Sequence, residues 1–230
     1  MKEPLVMAWS SGKDSALALQ KFLETDNYQI TLLTTVTEGY ERVSMHGVRE
    51  QLLLIQAESL GLPIDIVTIP RACSDEQYRR RMESAMLRHH ARGARSVVFG
   101  DIFLEGIREY REENLARLGM KPVFPLWQVD SRELSRTFIE TGFQAVITCV
   151  DTQALPASFT GRLYDRSFVE DLPSDADLCG EKGEFHSFVF DGPIFSKPVQ
   201  FRRGEVVLRE QRFSFCDLLP LDGESTASAQ

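Results

Sequence analysis

The segment Ser10-Ser11-Gly12-Lys13-Asp14-Ser15 has the residue types of a phosphate cradle. It lies where an apolar run, Leu5–Trp9, gives way to a helical pattern over Ser15–Leu23, with Ala16, Leu19, Phe22 and Leu23 at helical spacing. A helix N-terminus presents unpaired N–H groups and a partial positive charge, which suits an anion. Gly12 lets the backbone approach a ligand closely. Lys13 can supply a cation, Ser10 and Ser15 can donate hydroxyl hydrogen bonds, and Asp14 can hold Mg2+ or cap the helix. The loop is not a Walker A motif, because the first glycine is missing and Asp rather than Ser or Thr follows Lys13. Hydrolysis of the P-loop type is therefore not indicated.

Other polar residues fall on loops that a phosphate site could use. Gly100-Asp101 ends an apolar run, so Asp101 is a candidate for Mg2+ or ribose, or else an N-cap for the next helix. Glu105, Arg108, Arg111 and Glu112 share one helix face, which is either a salt-bridged surface or a cluster gripping an acidic group. Glu181 and Glu184 flank Gly183 and could bind a cationic group, direct ammonia or hold a metal. His46 is a candidate nucleotide contact. Cys179 has no neighbouring base in the pattern and is a poor nucleophile. His89 and His90 sit in a helix within the Arg-rich stretch 71–95, read as a solvated face or a docking patch.

These residues need a scaffold, and the pattern supplies one. Apolar strands at Ile30–Thr37, Ile64–Ile69 and Ser96–Gly100 alternate with helices over Val48–Leu60, from Ser74 to near Gly93, and over Glu105–Leu118. Ser74 and Gln77 form a capping-box signature, and Gly61 reads as a helix stop. Val123–Trp127 is expected as a fifth strand. Such alternation predicts an α/β fold, a doubly wound parallel five-stranded sheet of Rossmann-like type. Its ligands bind beyond the carboxyl ends of the strands, where strand order reverses. After Pro125 the texture changes. A helix over Asp130–Thr141, a strand at Ala145–Val150, an acidic polar stretch and short strands at Phe185–Phe190 and Val206–Leu208 read as a smaller C-terminal α+β lobe. The expected division is 1–127 for nucleotide binding, 128–220 for substrate, and 221–230 as a disordered tail.

Composition bounds the rest. The 230 residues are 43% hydrophobic and 26% charged, ample for a packed core. A net charge of −8 argues against a nucleic-acid footprint. The charge is uneven: Asp165–Glu184 holds seven acids against two bases. No apolar run reaches the ~20 residues of a membrane span, and the N-terminus does not read as a signal peptide. Four scattered cysteines without a C-x-x-C pair fit a reducing cytoplasm rather than zinc or disulfides. Self-association into a homo-oligomer is left open.

Taken with Ser44-Met45-His46-Gly47, Gly100-Asp101-Ile102, Pro125-Leu126-Trp127, and Cys179 to Phe185 leading to Asp191-Gly192-Pro193-Ile194-Phe195, the Ser10–Ser15 loop resembles the diphthine–ammonia ligase (diphthamide synthase) family. That family lies within the adenine nucleotide alpha-hydrolase superfamily, whose pyrophosphate loop reads SGGxDS. The resemblance runs from about residue 5 to 195. It implies a HUP-type fold that uses ATP and Mg2+, cleaves between the α- and β-phosphates, adenylates a carboxylate on a modified histidine of elongation factor 2, and lets ammonia displace AMP to give an amide. Three positions depart from the pattern. Ser11 stands where the loop usually has Gly, the C-terminal motif reads EKGEFHS rather than EGGE(Y/F)ET, and Phe159-Thr160-Gly161-Arg162 replaces a leucine-glycine element. The last two bear on the substrate, which is a protein or a small molecule. Ammonia is expected from solution or a partner, since no glutaminase cysteine follows Met1. A tRNA-modifying adenylase and a non-catalytic nucleotide-binding regulator are the competing readings.

Overall fold

A computed structural model describes residues 2–43 and 46–221. Ser44 and Met45 of the Ser44–Gly47 motif, and residues 222–230 of the expected tail, lie outside the described residues.

Five parallel strands form the first sheet: β1 (Glu3–Ala8), β2 (Tyr28–Thr37), β4 (Ile64–Ile69), β5 (Ser96–Val98) and β6 (Lys121–Val123). Their spatial order is β4-β2-β1-β5-β6. A two-residue strand, β3 (Arg42–Val43), adds an antiparallel pair to the end of β2 and makes the sheet six-stranded. Strand order reverses between β1 and β5, so the loops leaving these two strands border one crevice.

Helices cover both faces, as alternating side chains dictate. Leu5 and Met7 of β1 and Leu32 of β2 point to one core with α1 (Lys13–Leu23), α2 (Glu50–Leu60) and α5 (Ser131–Glu140). Val6, Leu33 and Val97 point to the other, against α3 (Asp75–Ala91) and α4 (Glu105–Ala116). The local signals act as read. Ser74 and Gln77 cap α3 reciprocally, and Asp130 caps α5 by accepting from the N–H groups of Arg132 and Glu133. Gly61 ends α2 at φ 67°.

The second sheet is antiparallel, in the order β8-β7-β10-β9, from β7 (Gln144–Asp151), β8 (Phe185–Asp191), β9 (Phe201–Arg209) and β10 (Phe213–Pro220). A six-residue helix, α6 (Arg166–Asp171), interrupts the acidic stretch. The two sheets share one apolar core, which runs from Leu17 and Leu19 through Phe138 and Phe143 to Phe188 and Leu218. They are also stitched polar to polar: Val189 N–H donates to Ser11 O at 2.9 Å, and Ser196 N–H to Ser59 O at 2.9 Å.

Two expectations about elements need correction. The fifth strand is Lys121–Val123, and Pro125–Trp127 forms a turn instead. Pro125 has no N–H to give a ladder, and Gln128, at φ 58°, turns back to donate to Ile102 O. Strand β10 was not expected at all. Its hairpin turns through Glu210 and Gln211, both at φ 52°, residue types that carry no turn signal.

Candidate active site

The Ser10–Ser15 loop leaves β1 and opens α1 at the crevice edge. Ser10 Oγ lies 3.1 Å from Ser15 Oγ, which donates to Gly12 O at 2.8 Å. Gly12 is the N-cap of α1 and adds no side-chain cap. Strand β8 roofs the loop: Lys13 N–H donates to Ser187 Oγ at 3.2 Å. Gly12 fits a tight slot, since a Cβ there would stand 3.1 Å from both His46 Cε1 and Ser187 O. Gly100 is tighter still. A Cβ on it would lie 2.9 Å from the Asp14 carbonyl carbon and 3.0 Å from Ser15 N, so the loop after β5 runs directly over the start of α1.

Lys13 turns behind the loop. It is 2% exposed, and its ammonium donates to both carboxylate oxygens of Asp14, at 2.6 and 2.8 Å. Tyr164 and Phe185 present their rings at 5.7 Å. Burial, the largest single influence, lowers the lysine's pKa, but its neighbours together, Asp14 first among them, outweigh it, so Lys13 stays protonated well past neutrality. Cys179, in the same wall, donates to Ser131 O, and burial pushes its thiol up to about 12. It is no nucleophile at neutral pH.

Asp101 does not cap a helix; α4 begins after Leu104. Instead Arg111 grips both its oxygens, at 2.6 and 3.0 Å, while stacking 4.2 Å over Phe99. Glu181 reaches the same place from the second lobe and accepts from Ile102 N–H at 2.8 Å. Burial raises its pKa to about 7, aided by the charges of Asp14 and Asp101. Asp177 shapes this loop by accepting from the N–H groups of Cys179 and Glu181. Glu184 is separate: it is 5% exposed and accepts from Asp177 N–H through one oxygen, while the other has no partner among the described residues. Arg108 pairs with Glu112 at 2.7 Å and lies 4.7 Å over Trp127; Glu105 is exposed at the start of α4. The structure thus joins Arg111 to Asp101, sets Glu181 on the backbone of the same loop at Ile102, and leaves Arg108 and Glu112 to each other.

His46 stacks on His186 of β8, with ring centroids 4.5 Å apart, and its Nδ1 faces Ser187 O at 3.4 Å. Burial, then the neighbouring imidazole, lowers the pKa of His46 to about 3; burial and the Lys13 charge lower that of His186 to about 4. Both are neutral at pH 7, so neither balances a phosphate charge. Beneath the loop, Gln56 of α2 accepts from Trp9 Nε1 at 2.8 Å and donates to Ser11 O and Val189 O. Gln56, His186 and Ser187 are not among the candidate residues read from sequence. The last two close the EKGEFHS motif, where they mark its departure from the family pattern, while Gln56 sits in an apolar helix with no motif around it.

The donor set suits a hard cation: carboxylates without sulfur. Among the described residues no three His, Cys, Asp or Glu side chains converge as a chelating group. Mg2+ usually rides on substrate phosphates and is touched by one or two carboxylates, an arrangement that needs no such chelating group. No helix is long and apolar enough to cross a membrane among the described residues.

Comparison with known proteins completes the picture. The profile of the diphthamide synthase N-terminal domain matches residues 2–122, and that of the diphthamide synthase C-terminal domain matches residues 130–218. Human diphthine–ammonia ligase is 26% identical over 178 residues, which cover 75% of this chain and 66% of that protein. The rat protein of the same name is 23% identical over 223 residues, covering 86% and 83%. A solved structure from Methanocaldococcus jannaschii, described as a predicted subunit of tRNA methyltransferase, matches with a TM-score of 0.41 at 15% identity, over 68% of this chain and 84% of that one. The chain spans 66% of the length of the human and bovine relatives. Because the two profiles together account for residues 2–122 and 130–218, the chain belongs to the diphthamide synthase family.

Proposed function

We propose that this protein is an ATP-dependent, AMP-forming ligase that converts a carboxylate to an amide with ammonia. The observation that carries the proposal is the convergence on one crevice of the Ser10–Ser15 loop, the Gly100–Ile102 loop and Glu181. A carboxylate oxygen is a poor leaving group, so amide formation needs activation. Attack of the carboxylate on the α-phosphate of ATP gives an acyl adenylate and pyrophosphate; ammonia then attacks the acyl carbon and AMP leaves. The loop supports the first step by offering the N–H groups at the start of α1 and the hydroxyls of Ser10 and Ser15 to the leaving pyrophosphate. Lys13 stands behind it as a fixed buried cation, and Asp14 and Asp101 are the contacts for Mg2+, which would neutralise phosphate charge when bound. Glu181, Asp101 and Arg111 line the side where substrate would enter, and an acidic wall there favours ammonium. Gly100 and His46 complete the nucleotide contacts.

The names of the relatives support diphthine as the carboxylate and ammonia as the second substrate; the family resemblance adds that this carboxylate is carried on a modified histidine of elongation factor 2. Family pattern and composition support the cytoplasm as the site of this activity. We read residues 1–127 as the nucleotide part and 128–220 as the substrate part. The test is to incubate the protein with ATP, Mg2+, ammonium and elongation factor 2 carrying diphthine. Amidated factor with stoichiometric AMP and pyrophosphate is expected; ADP with phosphate would contradict the proposal.

A further inference from the structure

The crevice is bordered by a short hairpin whose fastening is separate from the site itself. Its two arms are tied by Val43 N–H to Val48 O at 2.8 Å and Glu50 N–H to Glu41 O at 2.8 Å, and it carries His46. Both ends are held by one carboxylate on β10. Arg42 Nη1 donates to Asp217 Oδ1 at 2.8 Å; Arg49 donates through Nε to Oδ1 at 3.0 Å and through Nη2 to Oδ2 at 2.7 Å. Arg42 also binds Gly47 O at 2.7 Å, which closes the hairpin on itself. Register between β10 and β9 shifts between Cys216 and Leu218, so Asp217 is the residue a bulge re-aims. A second contact from the same strand is independent of charge. Phe215 packs on Gly47 so closely that a Cβ there would meet its ring at 2.8 Å. The hairpin is therefore clamped by β10 at two points, and its His46 bears on Gly12 and on His186.

We propose that Asp217 is a positioning residue of the nucleotide site: through Arg42 and Arg49 it holds the hairpin so that His46 closes on the phosphate loop at Gly12. This rests on the reading of Ser10–Ser15 as a nucleotide loop. Asp217 touches neither nucleotide nor reacting atoms. It acts by keeping a neutral imidazole packed between Gly12, Ser187 and His186, where the charge of Lys13 on α1 also acts on it. Arg42 and Arg49 hold the Asp217 carboxyl down at about 2, against the effect of its partial burial, so the clamp stays charged across the physiological range.

Histidine signals read the clamp without any catalysis. The chain has four histidines, so their Cε1–H resonances are separable in labelled protein. In the parent, the His46 signal stays fixed from about pH 8 to about pH 5, because its protonation lies far lower. In Asp217→Ala the freed hairpin hydrates His46, whose signal then titrates inside that window, while His89 and His90 on α3 behave as in the parent. The Kd for ATP rises about tenfold, as expected for a displaced contact. Asp217→Asn, which keeps shape and one acceptor, gives the same change in smaller measure and carries the test if the alanine variant does not fold. A His46 signal that stays fixed in both variants overturns the proposal, whatever happens to ATP affinity. Absence of ATP binding in the parent would instead overturn the nucleotide reading, and the histidine titration would still judge the clamp.

Discussion

Ser11 sits at φ 68°, a backbone region that favours glycine, and its hydroxyl is buried without a partner among the described residues. The family loop has glycine there, and the sequence alone marks the departure without explaining what it costs. Left-handed geometry costs a side-chain-bearing residue about 1–2 kcal/mol, and an orphaned hydroxyl about 1–3 kcal/mol. Ser11→Gly relieves both against about 0.5–1 kcal/mol of added chain freedom. Urea unfolding should show the variant more stable by about 1 kcal/mol; a loss of stability would contradict this account of the loop. Gly100 is the reverse case. Its missing Cβ makes room for the backbone of Asp14 and Ser15, so Gly100→Ala should cost about 2 kcal/mol and weaken ATP binding at least tenfold. Gly106→Ala, where nothing lies within 4 Å, should be neutral or slightly stabilising in the same assays. At this scale the types and spacing of Ser10–Ser15, Asp101 and Glu181 were legible in sequence. The direction Lys13 takes was not, because a lysine in a phosphate loop gives no sign that its neighbour Asp14 and the rings of Tyr164 and Phe185 will enclose it.

At the scale of elements, strong local chemistry was readable and weak local chemistry was not. Capping pairs, Gly61 and β-branched runs located α3, α2 and β2 because those signals are short-range. Strand β10 escaped because its turn uses Glu210 and Gln211, and β6 was displaced because Lys121–Val123 is a short edge strand with Pro122 inside it. Gln56 joins α2, β1 and β8 by three hydrogen bonds from a fully buried position. No periodicity marks it, since its partners are distant in sequence. Gln56→Leu leaves the Trp9 indole N–H and the Val189 carbonyl unpaired, and should cost about 3 kcal/mol. Thermal unfolding should register a fall of several degrees; an unchanged midpoint would show that the roof of the loop does not depend on this hub.

For the molecule as a whole, two sheets share one continuous core, and the candidate site lies at their junction, which is where long-range order decides and sequence is least informative. The same burial makes stability respond to acid. His46 and His186 protonate at about 3 and 4 when folded, against about 6.5 in the unfolded chain. Between those values the unfolded chain binds more protons, so stability is full above about pH 6.5 and falls as pH drops toward 4. Glu181, raised to about 7 from about 4.5, opposes this with one proton: its share is present below about 4.5 and lost as pH rises to 7. Asp14, also raised by burial, acts in the same sense as Glu181, so the imidazole share is read by difference: His186→Phe should raise the urea midpoint at pH 5 relative to that at pH 7. A pH dependence unchanged in that variant would contradict the burial assigned to the histidine pair. The central claim, activation of a carboxylate by adenylation at the Ser10–Ser15 loop, is tested most directly by isotope transfer. Elongation factor 2 with its diphthine carboxylate labelled with oxygen-18 should pass one labelled oxygen to the phosphoryl group of AMP in each turnover with ATP and ammonium. Label found in inorganic phosphate, or amide formed while AMP stays unlabelled, would contradict it.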